Sequence, residues 1–198
     1  MFSNLPPATR AIILANGIVF VLQLWANDLL LTYGALWPIG TLFEPWQLIT
    51  YAFLHGGFAH LFFNMFAIYM FGGQLEQFWG TRRYVIFYFA SVFTAGLTQL
   101  AVQYASGSTA QTVGASGGVF GLLLAFAMYF PRQRIMLLIP PIPMPAWLFV
   151  TLYGVLELFL GVTGTQAGVA HFAHLGGMLG GAIMILIWRA REGTSRRR

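Results

Sequence analysis

Six apolar stretches constrain the fold of this 198-residue sequence more than any other feature. Crossing a bilayer takes about 20 mainly apolar residues, and fewer where a helix is buried among others. Only 8% of the residues are charged, whereas soluble domains contain about 25%. We therefore predict an all-α membrane protein with one domain over 1–198, built as a six-transmembrane-helix bundle. The predicted spans are 11–25, 58–78, 84–104, 115–130, 147–162 and 169–188.

The basic residues indicate how the bundle is oriented. All ten are arginines, and they lie before the first span, after the second, after the fourth and after the sixth, while the other three loops contain none. Positively charged loops favour the cytoplasmic side, so we predict that both termini are cytoplasmic. The basic tail 189–198 is interpreted as an orientation signal and a contact for anionic lipid, rather than as a nucleic-acid-binding segment.

Polar side chains from three different spans are predicted to lie at one depth, in the outer third of the membrane. His60 and Asn64 are four residues apart on one face of the second span, with His55 just before it. Ser116 begins the fourth span, and His174 lies about one turn inside the sixth. A single Ser, His or Asn in a membrane helix often serves only its own helix or a neighbouring one. Their common depth favours a functional site. Burying an ionisable residue in a membrane costs free energy, so such residues are functional candidates by default.

Glycines flank both Ser116 and His174. Small residues four apart let two helices approach closely, so the fourth and sixth spans could bring a serine oxygen within hydrogen-bond reach of an imidazole. The pairs are Gly114/Gly118, Gly117/Gly121, Gly176/Gly180 and Gly177/Gly181.

A serine hydroxyl needs a base to become a good nucleophile, and a neutral imidazole is suited to this near pH 7. The usual triad also contains a carboxylate that orients the histidine. Four of the five acidic residues are predicted near the cytoplasmic face or in the first outer loop; the exception is Glu157 in the fifth span, whose face the sequence does not fix. We therefore expect a Ser116–His174 dyad, with Phe120 as an aromatic orienter of His174. His60, Asn64 and the Ser116 backbone N–H would donate to the oxyanion.

These residues resemble the motifs of the rhomboid family of intramembrane serine proteases, and the resemblance covers nearly the whole chain as a six-helix rhomboid-like bundle. The resemblance lies in His-x4-His-x3-Asn from His55 to Asn64, in Gly-x-Ser-Gly from Gly114 to Gly117, and in Ala-His-x2-Gly-x3-Gly from Ala173 to Gly181. Glu76 and Gly80 resemble the Glu-x3-Gly of that family.

The resemblance implies cleavage of single-span membrane proteins near the outer membrane face. It implies that Ser116 is the nucleophile and His174 the base, with His60 and Asn64 at the oxyanion. Two features depart from the family pattern: Phe120 stands where a tyrosine is frequent, and His171 is a second histidine one turn before His174, so an exchange of roles stays open. The supporting positions are Gly114, Gly117, Phe120, His55, Glu76, Gly177 and Gly181, and we predict that Glu76 is structural, pinning the inner end of the second span.

Other classes of protein remain as alternatives. A non-proteolytic membrane protein of the same fold is one, and a haem protein ligated by two of the four histidines is another. We expect no metal, because the sequence has no His-Glu-x2-His motif and because no carboxylate is predicted beside any histidine. We expect no cofactor and no nucleic-acid partner. The expected partners are a transmembrane protein substrate and the lipid bilayer of a bacterial inner membrane, while the oligomeric state and natural substrate stay open.

Overall fold

The computed structural model describes residues 5–136, 141–164 and 168–195. Its architecture is the predicted all-α membrane bundle, with one small antiparallel hairpin, β1 (Arg134–Met136) and β2 (Pro143–Pro145). A 3-10 turn, Tyr51–Phe53, follows α2, and a π-helical turn, Ile68–Gly72, joins α3 to α4. The α-helices are α1 (Pro7–Gly34), α2 (Gln47–Thr50), α3 (Phe58–Ala67), α4 (Gly73–Trp79), α5 (Thr81–Ser106), α6 (Ser116–Tyr129), α7 (Ala146–Thr163) and α8 (His171–Ser195).

The helices account for all six predicted apolar stretches. Within the described residues, 4 helices are long and apolar enough to cross a membrane: α1, α5, α7 and the part of α8 up to Glu192. α6 is a shorter apolar helix, and the continuous run from α3 through the π turn to α4 corresponds to the second stretch. The count of six transmembrane spans therefore stays a prediction.

The first helix differs most from its predicted bounds. The sequence suggested 11–25, but α1 continues to Gly34, with a kink at Ala26 (φ −132°, ψ 39°). The polar residues Asn27 and Asp28 end the run of hydrophobic residues without ending the helix, because helical backbone bonds do not require an apolar side chain. The helix ends only at Ala35, whose backbone is extended (φ −70°, ψ 153°).

Glycines bring the three inner helices α5, α6 and α8 into close contact. A Cβ atom added to Gly117 of α6 would overlap the Cβ of Ala95 on α5. A Cβ added to Gly177 of α8 would overlap the carbonyl oxygen of Gly117. A Cβ on Gly181 would lie only 2.9 Å from the Phe87 ring. The backbones of α6 and α8 therefore approach as closely as the glycine spacing predicts, and this contact positions the site.

The outer helices expose large apolar side chains. Only 17% of the most apolar window of α1 is buried, and the same fraction holds for α7, against 39% for α5 and 44% for α8. Leu24 is 70% exposed and Trp25 is 88% exposed. Apolar surface of this extent requires a covering medium, and lipid provides it.

Glu76 connects three helices at the end of the bundle where the arginines lie. Its carboxylate accepts hydrogen bonds from the backbone N–H of Ala8 (2.9 Å) and of Thr9 (2.7 Å), in the first turn of α1. The hydroxyls of Thr9 (2.7 Å) and Thr81 (2.8 Å) also donate to it. The first N–H groups of a helix have no intrahelical acceptor, so Glu76 supplies one and joins α1, α4 and the start of α5.

A second contact at this end is exposed. The Arg83 guanidinium donates to the Glu192 carboxylate at 2.9 Å, with both side chains about half exposed, so the pair contributes little to stability. Residues 196–198 of the predicted basic tail lie outside the described residues, and its contact with lipid stays a prediction.

Candidate active site

Ser116 and His174 meet between α6 and α8. Ser116 is the first residue of α6, and the loop before it is fixed by the Gly114 N–H, which donates to the Tyr51 carbonyl at 2.9 Å. His174 lies one turn into α8. The Ser116 Oγ is 2.8 Å from the His174 Nε2, which is hydrogen-bond length.

The Phe120 ring lies one turn along α6 from Ser116 and packs flat against His174. The two ring centroids are 4.2 Å apart and the planes differ by 9°. Phe120 is buried, so its position is fixed by packing. The structure thus brings the two rings together as expected, while the role of Phe120 as an orienter of His174 stays a prediction.

The Glu157 carboxylate also contacts His174. Its Oε2 is 2.8 Å from the His174 Nδ1 and 2.7 Å from the His171 Nδ1, and all three residues are buried. The expectation that no carboxylate lies beside any histidine is therefore wrong. The expected Ser116–His174 dyad gains a third polar group, Glu157, whose face the sequence left open. The sequence placed Glu157 in the fifth span without fixing its face, because the rotation of α7 about its axis, which turns Glu157 toward α8, depends on packing.

The structure also separates the two histidines of α8. The His174 Nε2 faces away from Glu157 and contacts the Ser116 Oγ. The corresponding Nε2 of His171 is buried and has no hydrogen-bond partner among the described residues. The arrangement therefore favours His174, and not His171, as the base for Ser116.

His60 and Asn64 lie on α3 and line the same cavity as Ser116 and His174. The Gly56 N–H donates to the His60 Nδ1 at 3.4 Å. A neutral imidazole that accepts at one nitrogen is protonated at the other, so the His60 Nε2 is the donor. The Asn64 amide donates one N–H to the His60 carbonyl at 3.0 Å, and its amide group has a second N–H to offer.

His55 supports His60 and does not reach the Ser116–His174 pair. The His55 and His60 rings meet edge to face, with centroids 5.0 Å apart. The backbone of His55 is held by Gln23, whose Oε1 accepts from the His55 N–H at 2.9 Å and whose amide donates to the His55 carbonyl at 3.2 Å. Burial and the nearby His60 lower the pKa of His55 to about 4, so the ring is neutral near pH 7.

A cavity of about 1080 Å³ opens next to these side chains. Its polar lining includes His60, Asn64, Ser116 and His174. Its apolar lining includes Phe63 and Phe66 of α3 and Leu152 and Leu156 of α7. The space is large enough for a short peptide segment, and its mixed lining suits an apolar chain with a polar backbone.

The cluster of Glu157, His171 and His174 has the donor types of a zinc site, with all three ligand atoms within 4.8 Å of one another. Ligands around tetrahedral zinc, with bonds of about 2.0–2.1 Å, lie roughly 3.3 Å apart. The distances of 2.7 and 2.8 Å from Oε2 to the two Nδ1 atoms are shorter and correspond to hydrogen bonds. The expectation of no metal stays a prediction, and the geometry favours protons between these atoms.

Glu157 is the residue that the sequence reasoning left unassigned. The signal for it was present, because a carboxylate in an apolar span is a functional candidate by default. His171 and His174 are three residues apart and lie on one helix face, so a single acceptor on a neighbouring helix can meet both. Glu76, which was predicted as a supporting position, lies away from Ser116, at the opposite end of the second span from His60.

Together these features describe a helical membrane protein in which a half-buried serine, hydrogen-bonded to a buried histidine, opens onto a cavity. The Rhomboid domain family matches residues 42–191 of the chain. The chain therefore belongs to the rhomboid family, and it is an integral multi-pass membrane protein.

Curated relatives come from distant organisms. "Rhomboid protease GluP" of Bacillus subtilis is 28% identical over 138 residues, covering 70% of this chain and 25% of the relative. "Rhomboid protein 1, mitochondrial" of Saccharomyces cerevisiae is 31% identical over 146 residues, covering 69% and 40%. "Rhomboid-like protease 3" of Toxoplasma gondii is 29% identical over 159 residues, covering 80% and 57%. The chain thus spans only part of each of these relatives.

Proposed function

We propose that this chain is a serine endopeptidase that cleaves single-span membrane proteins near the outer membrane face. The observation that carries the proposal is the 2.8 Å contact between the Ser116 Oγ and the His174 Nε2. Two of the relatives cited above are named as proteases, which agrees with it.

In the proposed reaction, the Ser116 oxygen attacks the carbonyl carbon of the scissile peptide while His174 Nε2 takes the hydroxyl proton. The carbonyl oxygen becomes an oxyanion, which accepts hydrogen bonds from the Ser116 N–H, His60 and Asn64. The C–N bond then breaks and His174 returns its proton to the leaving amine. A water, activated by the same imidazole, hydrolyses the acyl-enzyme and restores Ser116.

The position of Ser116 at the start of α6 supports an oxyanion site there. The first N–H groups of a helix lack intrahelical acceptors, and the positive end of the helix dipole favours a negative charge. The Ser116 N–H is therefore available for a developing oxyanion, and no charged side chain is needed to neutralise it.

The arginine distribution supports the outer-face assignment. Arg132 and Arg134 follow the end of α6 that is opposite Ser116, and Arg82 and Arg83 lie at the start of α5, whose first residue Thr81 contacts Glu76. If these loops are cytoplasmic, both termini are cytoplasmic and Ser116 lies toward the outer face. A bacterial inner membrane would fit this arrangement, and reporter fusions to each terminus would test it.

The central experiment measures cleavage of a model single-span substrate in liposomes by wild type, Ser116→Ala and His174→Ala. Cleavage should fall on the order of 10³-fold or more in both variants, with a cooperative thermal unfolding transition that shows each variant to be folded. Ser106→Ala, at the end of α5 with its hydroxyl on the Gln103 carbonyl, is the matched serine control and should cleave normally. A serine-reactive phosphonate probe should label wild type and Ser106→Ala but not Ser116→Ala.

Three outcomes would contradict the proposal. Cleavage that survives in Ser116→Ala would exclude Ser116 as the nucleophile. A wild type that neither cleaves a panel of substrates nor reacts with the probe would favour the non-proteolytic alternative. A strong visible absorption band in the purified protein would favour the haem alternative.

A further inference from the structure

The Glu157 carboxylate completes a line of side-chain contacts that crosses three helices. Its Oε2 joins the His171 Nδ1 at 2.7 Å and the His174 Nδ1 at 2.8 Å, and the opposite nitrogen of His174 joins the Ser116 Oγ at 2.8 Å. α7 therefore contributes an acid to a site whose other members lie on α6 and α8.

This arrangement selects one tautomer of His174. An ionised carboxylate only accepts hydrogen bonds, so the His174 Nδ1 must carry the proton. The Nε2 is then the unprotonated nitrogen, and it faces Ser116. A base for the serine hydroxyl needs a free lone pair on that atom, which this tautomer provides.

We infer that Glu157 is a positioning residue for His174, so that the site works as a Ser116–His174–Glu157 triad and not as a dyad. The inference rests on the proposed protease function. When the Ser116 proton moves to the His174 Nε2 and the new C–O bond forms, the Nδ1 proton stays on His174. Glu157 stays ionised throughout, and its negative charge stabilises the imidazolium that forms beside it.

His171 holds the carboxylate in place. An ionised carboxylate buried away from water is costly unless hydrogen bonds compensate it, and two imidazole N–H groups converge on one oxygen here. The two donors come from one face of α8, three residues apart. His171 therefore holds the Glu157 carboxylate in position, and the same carboxylate accepts the hydrogen bond from the His174 Nδ1.

The decisive variant is Glu157→Gln, because an amide has nearly the same shape as the carboxylate but no charge. Its NH₂ group can donate to the His174 Nδ1 and so stabilise the wrong tautomer, with the proton on Nε2. We expect kcat to fall on the order of 10²–10⁴-fold with KM changed little, as when an aspartate in the equivalent role becomes asparagine. His171→Phe removes one of two donors and should lose less, on the order of tenfold.

A readout independent of activity is the nitrogen-15 NMR signal of the His174 ring, assigned by its loss in His174→Ala. Wild type should show the proton on Nδ1, and Glu157→Gln should shift it toward Nε2. The matched control is Glu76→Gln. Glu76 is also a buried carboxylate, but it lies at the end of the second span that is far from Ser116. This variant should leave the His174 signal and the kcat of the folded protein unchanged.

The results separate the two proposals. A wild-type His174 with the proton on Nε2 overturns the inference without the Glu157→Gln variant, so a Glu157→Gln protein that fails to fold does not prevent the test. A folded Glu157→Gln with wild-type kcat and an unchanged tautomer also overturns it, while leaving the Ser116–His174 mechanism in place. A wild type that cleaves nothing overturns the proposed protease function, and the tautomer measurement still decides whether Glu157 positions His174.

Discussion

The His60 imidazole occupies the space that a side chain on Gly114 would need. A Cβ atom on Gly114 would lie 2.6 Å from the His60 Cε1 and 2.7 Å from its Nε2. Gly114 also has a φ of +127°, which L side chains rarely adopt. Glycine at this position thus allows the proposed oxyanion donor to lie directly against the loop that leads into Ser116.

Gly114→Ala should therefore move His60 away from the site. We expect cleavage to fall on the order of 100-fold, because a shift of about 1 Å in a positioned group can have that effect. Gly107→Ala is the matched control, since Gly107 also has a positive φ (+67°) but open space around its would-be Cβ. Gly114→Ala should also lose more stability than Gly107→Ala, because only its Cβ overlaps another side chain. Equal cleavage rates in the two folded variants would contradict the role given to the His60 contact.

Phe120→Leu should slow catalysis by removing the ring that stacks on His174 at 4.2 Å. Aromatic stacking of this kind contributes about 0.5–1.5 kcal/mol, so a loss of up to about tenfold in kcat is expected. Phe126→Leu provides the comparison, because Phe126 is equally buried in α6 but packs edge to face on Phe71 with centroids 5.0 Å apart. If both variants lose equal stability and equal kcat, the stack has no specific catalytic effect.

Glu76→Ala should destabilise the fold without touching the site. Removing the carboxylate leaves the N–H groups of Ala8 and Thr9 without their acceptor, which should lower the free energy of unfolding by about 1–3 kcal/mol. Glu192→Ala removes an exposed carboxylate paired with Arg83 and should change it by less than about 0.5 kcal/mol. Thermal unfolding in detergent measures both, and a Glu76→Ala protein as stable as wild type would disprove the anchoring role.

His55 should make stability depend on pH in the mildly acidic range. Its pKa in the folded protein is about 4, against an ordinary value of 6.5. Between these values the unfolded chain binds more protons than the folded one, so stability falls as pH decreases from 6.5 toward 4. His55→Leu should lose this part of the pH dependence, which thermal unfolding over that range would show as a flatter curve. Parallel curves for the two proteins would exclude it.

The sequence predicted the helices well, because hydropathy reports where an apolar helix lies along the chain. It placed His60, Asn64, Ser116 and His174 at a common depth, and all four line one cavity. Depth follows from residue number at about 1.5 Å per helical residue, and so requires no knowledge of neighbouring helices.

The role of Glu157 could not be predicted in this way. Whether Glu157 faces α8 or lipid depends on how α7 is rotated, and that rotation is set by packing against the bundle. The continuation of α1 to Gly34 escaped prediction for a different reason, since Asn27 and Asp28 end an apolar run but lie within the helix, just after its kink at Ala26. Distance along a helix axis was readable from the sequence, whereas angle about the axis was not.

The π-helical turn Ile68–Gly72 changes the angle about the helix axis between two polar residues of the second span. Asn64 and Glu76 are twelve residues apart, which at about 100° per residue would put them roughly 120° apart around a regular helix. A π turn absorbs about one extra residue, which reduces the offset to roughly 20°. Both side chains are accordingly buried, one beside the cavity and one beneath α1. The turn thus acts as a phase adjustment that lets one continuous span present its outer and inner polar groups to the interior of the bundle.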